Sequence, residues 1–220
     1  MAFVQAVGTA TGVTGTGPTL TLTTGNVAFA FAQSAGAQTY AVSDTLGNTW
    51  TQIGTTISNA APVDDEALFM SHITNGGSTT VTMSAGFLGE VAVIEYSGLS
   101  GTVLGNFGGY SAGSGASTFT LGPTGSVSTV PSQIIGICWD VNGNGAATAG
   151  TGYTQRALTS PTGNALFLTV VDATLSSAGT ASAAYATAHG FDQYGGFTVV
   201  MQNSGAVATR PNLMMLGVGS

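Results

Sequence analysis

An all-β fold, an antiparallel β-sandwich of jelly-roll-like type built from two similar halves with little or no helix, is predicted here by three observations. Short apolar stretches recur along the chain between clusters of Gly, Asn, Ser and Pro, which is the spacing of sandwiches and barrels. Glycine totals 34, and most of it falls between those stretches. The second half also echoes the first. Asn48-Thr49-Trp50-Thr51-Gln52 returns as Thr151-Gly152-Tyr153-Thr154-Gln155, and Ala67-Leu68-Phe69-Met70 as Ala165-Leu166-Phe167-Leu168. Gly89-Glu90-Val91-Ala92-Val93-Ile94 returns as Gly196-Phe197-Thr198-Val199-Val200-Met201, and the halves close on Ser97-Gly98 and Ser204-Gly205. Self-similarity at a long period marks one supersecondary unit used twice, and two β units packed face to face make a sandwich.

Taken in order, the strand candidates of the first half are residues 19–23, 27–33, 38–43, 49–53, 67–73, 79–83 and 90–96. In Val27-Ala28-Phe29-Ala30-Phe31 the large side chains share one face, which should enter the core, and the alanines share the other, which suits a close neighbour or solvent. Residues 44–48, Asp-Thr-Leu-Gly-Asn, carry hairpin chemistry, since Gly47 and Asn48 tolerate a positive φ. Residues 90–96 are apolar on both faces and read as a central strand covered on both sides. In the second half the candidates are 118–121, 133–140, 153–156, 165–171, 181–187 and 196–202. This gives one sandwich domain over 19–205 with its repeats at 19–98 and 118–205, preceded by an arm, 1–18, and followed by a tail, 206–220.

Charge is the unusual part of the composition: 5% of residues are charged, against about 25% in an ordinary soluble domain. The surface must therefore be made of Thr, Ser, Gly, Asn and Gln, and such a surface repels copies of itself weakly. The two basic side chains are Arg156 and Arg210, there is no lysine, and the net charge is -7, so the basic footprint that nucleic acid demands is missing. Cys138, the single cysteine, lies in the apolar run Ile134-Ile135-Gly136-Ile137-Cys138-Trp139 and reads as a small buried hydrophobe. The opening residues lack the pattern of a signal peptide, and no apolar run reaches the 18 residues of a membrane span, so neither secretion by its own signal nor a membrane partner is expected.

The run 42–52, Val-Ser-Asp-Thr-Leu-Gly-Asn-Thr-Trp-Thr-Gln, the later Val93-Ile94-Glu95-Tyr96-Ser97-Gly98, and Thr151-Gly152-Tyr153-Thr154 resemble, in that order, a β-sandwich module of bacteriophage virion proteins and bacterial extracellular proteins. The resemblance spans residues 19–202, and its motifs are turns and strand ends. It implies a fold, and it implies phage decoration and tail proteins among the relatives to be expected.

Catalytic chemistry finds no support in the sequence. Gly109-Tyr110-Ser111-Ala112-Gly113 matches the G-x-S-x-G nucleophile elbow, but no helical pattern follows the serine. His72 and His189 have no spacing that suggests a triad. Glu90 and Glu95 point to opposite faces of one strand, and Asp64-Asp65-Glu66 reads as a solvated acidic turn beside Pro62. Asp140-Val141-Asn142-Gly143-Asn144-Gly145 matches the first half of a calcium loop, with Asp140, Asn142 and Asn144 as oxygen ligands, while Thr151 stands where the closing glutamate belongs. Trp50 and Tyr153 hold equivalent places and are candidate sugar-stacking platforms or, more simply, matched core anchors.

The expectation is therefore a non-enzymatic structural protein of a bacteriophage virion, a capsid decoration or a tail or fibre component assembled in the host cytoplasm and released by lysis. Its partners would be copies of itself and virion proteins such as a major capsid protein, with no cofactor beyond the calcium just considered. The alternative is a carbohydrate- or receptor-binding, lectin-like module that contacts a host-surface glycan.

Overall fold

A computed structural model describes residues 1–11, 15–35, 39–60, 63–83, 89–111, 117–140, 146–159, 168–187 and 194–205. Among these residues the fold is all-β and antiparallel with no helix, hence no helix able to cross a membrane. The first nine strands are β1 (Ala2–Thr11), β2 (Thr16–Leu22), β3 (Val27–Ala35), β4 (Val42–Asp44), β5 (Thr51–Gln52), β6 (Ile57–Ala60), β7 (Val63–His72), β8 (Gly77–Met83) and β9 (Gly89–Ser97). Then come β10 (Leu99–Ser111), β11 (Thr118–Leu121), β12 (Ser132–Asp140), β13 (Thr148–Ala149), β14 (Thr154–Thr159), β15 (Leu168–Leu175), β16 (Ala183–Ala186) and β17 (Tyr194–Asn203).

Four sheets result. The first large sheet runs β1-β9-β3-β7-β5, with β6 also on β7, and the second runs β10-β17-β12-β15-β14. The small sheets run β2-β8-β4 and β11-β16-β13. Each set of strands follows one order: first, last, third and antepenultimate in the large sheet, second, penultimate and fourth in the small one. This interleaving of early and late strands between two layers is the double Greek-key order of a jelly roll. Residue Gly98 alone, with φ +73°, joins β9 in the first large sheet to β10 in the second.

The sheets stack in four layers, small, large, large, small. Alternation along β3 dictates how. Phe29 and Phe31 enter a central core between the two large sheets, where they meet Ile135, Ile137, Trp139, Phe197 and Val199, and the rings of Phe31 and Trp139 stand 5.9 Å apart. Ala28, Ala30 and Ala32, on the other face, let the first small sheet approach with Leu20, Leu22, Val81 and Met83. The second large sheet does likewise, with Cys138 and Val171 against Leu121, Ala183 and Tyr185. Both β9 and β12 are central strands covered on both faces, and all nine residues of β12 are buried. In the central interface β1 lies against β14 and β10 against β6.

Several expectations need correction. Residues 1–18 are no free arm: β1 forms the edge of the first large sheet, pairing with β9 from Ala2 opposite Ser97 to Thr11 opposite Gly89. The stretch between the repeats likewise holds β10. Residues 44–48 are not a hairpin, because β4 belongs to the first small sheet and β5 to the first large one, so the turn is a corner between layers. Gly47 does take a positive φ, +73°, but Asn48 does not. Asp65 and Glu66 are buried within β7, opposite Ser34 and Gln33, rather than in a solvated turn. Finally, Thr51 pairs with Met70 whereas Thr154 pairs with Asp172, four residues beyond Leu168, so the echo does not preserve ladder register.

Candidate binding cleft at Arg156 and Asp172

The corner that ends at Tyr153 delivers the chain into β14, the outermost strand of the second large sheet. There Thr154 and Gln155 pair with Asp172 and Val171, then Ala157 pairs with Val170, which leaves Arg156 as the extra residue of a β-bulge. A bulge bends its strand and re-aims a side chain. Here Arg156 Nε donates to Asp172 Oδ2 at 2.7 Å. The partners differ in exposure: the Arg156 side chain is 35% exposed and that of Asp172 3%. This hydrogen bond raises the Arg156 pKa, against burial, which lowers it. Beneath lies Tyr96, fully buried, whose hydroxyl is close to Asp172 without good hydrogen-bond geometry; burial first and that carboxylate second push its pKa upward.

The pair opens on a cleft of 390 Å³ that also exposes Gln133 of β12, Thr154, Thr174 and Asn203 of β17. Asn203 Nδ2 donates to Pro131 O at 3.1 Å, while its Oδ1 is buried without a donor. Arg156 is the only Lys or Arg side chain among the described residues. The corresponding edge of the first large sheet offers a contrast. There β5 pairs with β7 as β14 does with β15, and the hollow beside it is lined by Ile53, Met70 and Val103 together with Asn106. The ion pair is thus no requirement of the sheet edge.

The residues singled out from sequence stand elsewhere. Trp50 is half-buried against the first outer layer, and its Nε1 donates to Asp44 Oδ2 at 3.0 Å. Tyr153 is half-buried against the second outer layer, and its hydroxyl donates to Ser182 O at 2.6 Å. Each ring anchors a corner of its own half, and the central core lies between them. Asp140 ends β12 fully buried; Asn142, Asn144 and His189 lie outside the described residues, as do the side chains of Ser111 and Glu90. Among the described residues no group of three His, Cys, Asp or Glu side chains could hold a metal ion. His72 is exposed at the end of β7.

Two further buried groups are structural. Glu95 accepts from Gln5 Nε2 at 2.6 Å, Thr23 N at 2.9 Å and Asn26 Nδ2 at 2.7 Å, tying β1 and the β2–β3 turn to β9. Cys138 is buried as expected, and burial, then Glu66 and Asp140, hold its thiol pKa well above normal.

What sequence reasoning passed over was Arg156, Asp172, Gln133 and Asn203. One signal was available: in a chain with two basic side chains, an arginine inside a strand candidate needs a reason. No family model, curated protein or solved structure matches the chain. What the cleft presents chemically is a set of fixed donors and acceptors around a neutralised charge pair.

Proposed function

We propose that this chain is a non-enzymatic structural subunit that works by packing against copies of itself and other proteins, in a bacteriophage particle, as a capsid decoration or a tail or fibre component. The observation that carries this reading is the uncharged, hydroxyl-rich outside of both small sheets. Thr19, Thr21 and Ser78 are exposed on the first, where Thr19 and Thr80 share a hydroxyl contact of 2.7 Å, and Thr118, Thr120 and Thr148 are exposed on the second. Flat sheet faces without like charges can approach one another at little electrostatic cost. The particle context rests on the resemblance of the turn and strand-end motifs to those of phage virion modules.

Light scattering on the full, untagged chain tests the packing. A trimer or larger closed oligomer is the expected mass, and a stable monomer at micromolar concentration overturns the proposal. Mass spectrometry of purified phage particles then tests location, since the chain should co-purify at stoichiometric rather than trace level.

A further inference from the structure

We propose that the cleft at Arg156 and Asp172 is a binding site for a neutral glycan, whose ring hydroxyls take the hydrogen-bonding capacity that the protein leaves open there. The inference goes beyond the packing role and stands whether or not the chain assembles.

Four observations converge on it. First, the site is built: a bulge in β14 places Arg156 on Asp172, and the ladder pairs Asp172 with Thr154 across the same strands. A charge pair with one partner buried contributes little net stability compared with apolar residues of the same volume. The matching edge of the other large sheet manages with Ile53, Met70 and Val103. Secondly, capacity is left over. The guanidinium uses only Nε, so its two terminal nitrogens remain for a ligand. Gln133, buried but opening on the cleft, has a single long bond from its carboxamide, Nε2 to Ile134 O at 3.5 Å. Planar amide, guanidinium and carboxylate groups, with the hydroxyls of Thr154 and Thr174 beside them, match the mixed donor and acceptor pattern of vicinal sugar hydroxyls.

Thirdly, charge selects the class. Arg156 and Asp172 cancel, so an isolated phosphate or carboxylate meets the Asp172 anion whether it approaches Arg156 or the α-amino group of Met1, which also lines the cleft, and a metal ion finds a single carboxylate already engaged. A neutral polar ligand suffers neither penalty. Fourthly, 390 Å³ falls within the roughly 300–1,000 Å³ of small-ligand sites, and the lining is polar where most such sites are apolar.

The test uses the full chain on a glycan array holding neutral and acidic structures, followed by titration calorimetry with the best neutral oligosaccharide. Two variants accompany it. Arg156→Met with Asp172→Leu replaces the pair by apolar residues, and Thr154→Val removes one exposed hydroxyl with little risk to folding. Saturable binding to neutral glycans is expected, weakened at least tenfold by the double substitution and several-fold by Thr154→Val. The proposal is overturned if no neutral glycan binds, if Thr154→Val and any folded double variant bind like the parent, or if sialylated and uronic-acid glycans or inorganic phosphate are preferred. Should the double variant fail to fold, Thr154→Val decides alone.

Discussion

Asp44 shows how one side chain can hold a corner. Its Oδ1 accepts from the backbone of Leu46 at 2.9 Å and of Asn48 at 3.1 Å, and its Oδ2 from Asn48 Nδ2 and Trp50 Nε1, both at 3.0 Å. Asn48 Oδ1 accepts in turn from the amides of Thr74 and Asn75. Burial alone would raise the Asp44 pKa; the bonds donated by Asn48, Trp50 and Leu46 outweigh it and lower it. A folded pKa below the unfolded one, about 3.9, means a stabilising contribution that is complete above that value and fades as pH falls through the folded one. Asp44→Asn replaces one acceptor oxygen by an NH2 group that then faces two donors, and should cost on the order of 2 kcal/mol at pH 7. Urea titrations of parent and variant should differ at pH 7 and converge toward pH 3; an equal gap at both would sink this assignment. The corner's chemistry was legible in the sequence but its destination was not, because local turn residues do not say which sheet the next strand will join. Arg156 and Asp172 were hidden for a related reason, since sixteen residues and a bulged ladder separate them in the chain.

At the scale of the element, legibility followed burial. Strands β3, β9, β12 and β17 carry apolar residues on both faces or in clean alternation, and their places were readable from that pattern. The longest of the missed strands, β1 and β10, are sheet edges with register shifts, at Phe3/Gln5 in β1 and between Leu99 and Gly105 in β10, and their mostly half-exposed residues keep no clean period of two. An edge strand is held by one neighbour and need bury only part of one face, so its pattern is weak. Layer spacing, by contrast, is written in single residues. A Cβ at Gly136, in the middle of β12, would fall on Ala183, on the Tyr185 hydroxyl and, at 2.9 Å, on Val171 Cγ2, all fully buried. Gly136→Ala should therefore push the second small sheet off its large one, costing about 2 kcal/mol, roughly 4–8 °C in Tm by calorimetry. A Tm within a degree of the parent would show that the layers have slack.

The whole molecule has one core that both large sheets share, with an outer layer on each side of it. Removing either half would expose Phe29, Phe31, Ile135, Trp139 and Phe197 together, so the halves should not unfold separately. Trp139 reports on the central core, and Cys138, on the opposite face of the same strand, reports on the second outer layer. Tryptophan fluorescence, from Trp139 in the central core and Trp50 in the first outer layer, and thiol labelling of Cys138 should then give a single coincident transition in denaturant, and labelling that precedes the fluorescence change would reveal an independent second half.

The link between the sandwiches carries this further. Only Gly98 spans from β9 to β10, beneath a large apolar interface, so there is neither slack in the tether nor a slippery surface for one half to swing on. A ligand or neighbour cannot be accommodated by opening the two sandwiches like a hinge. Whatever pulls on one outer sheet is felt, through β9 and Gly98, at the other, and the chain behaves as a strut.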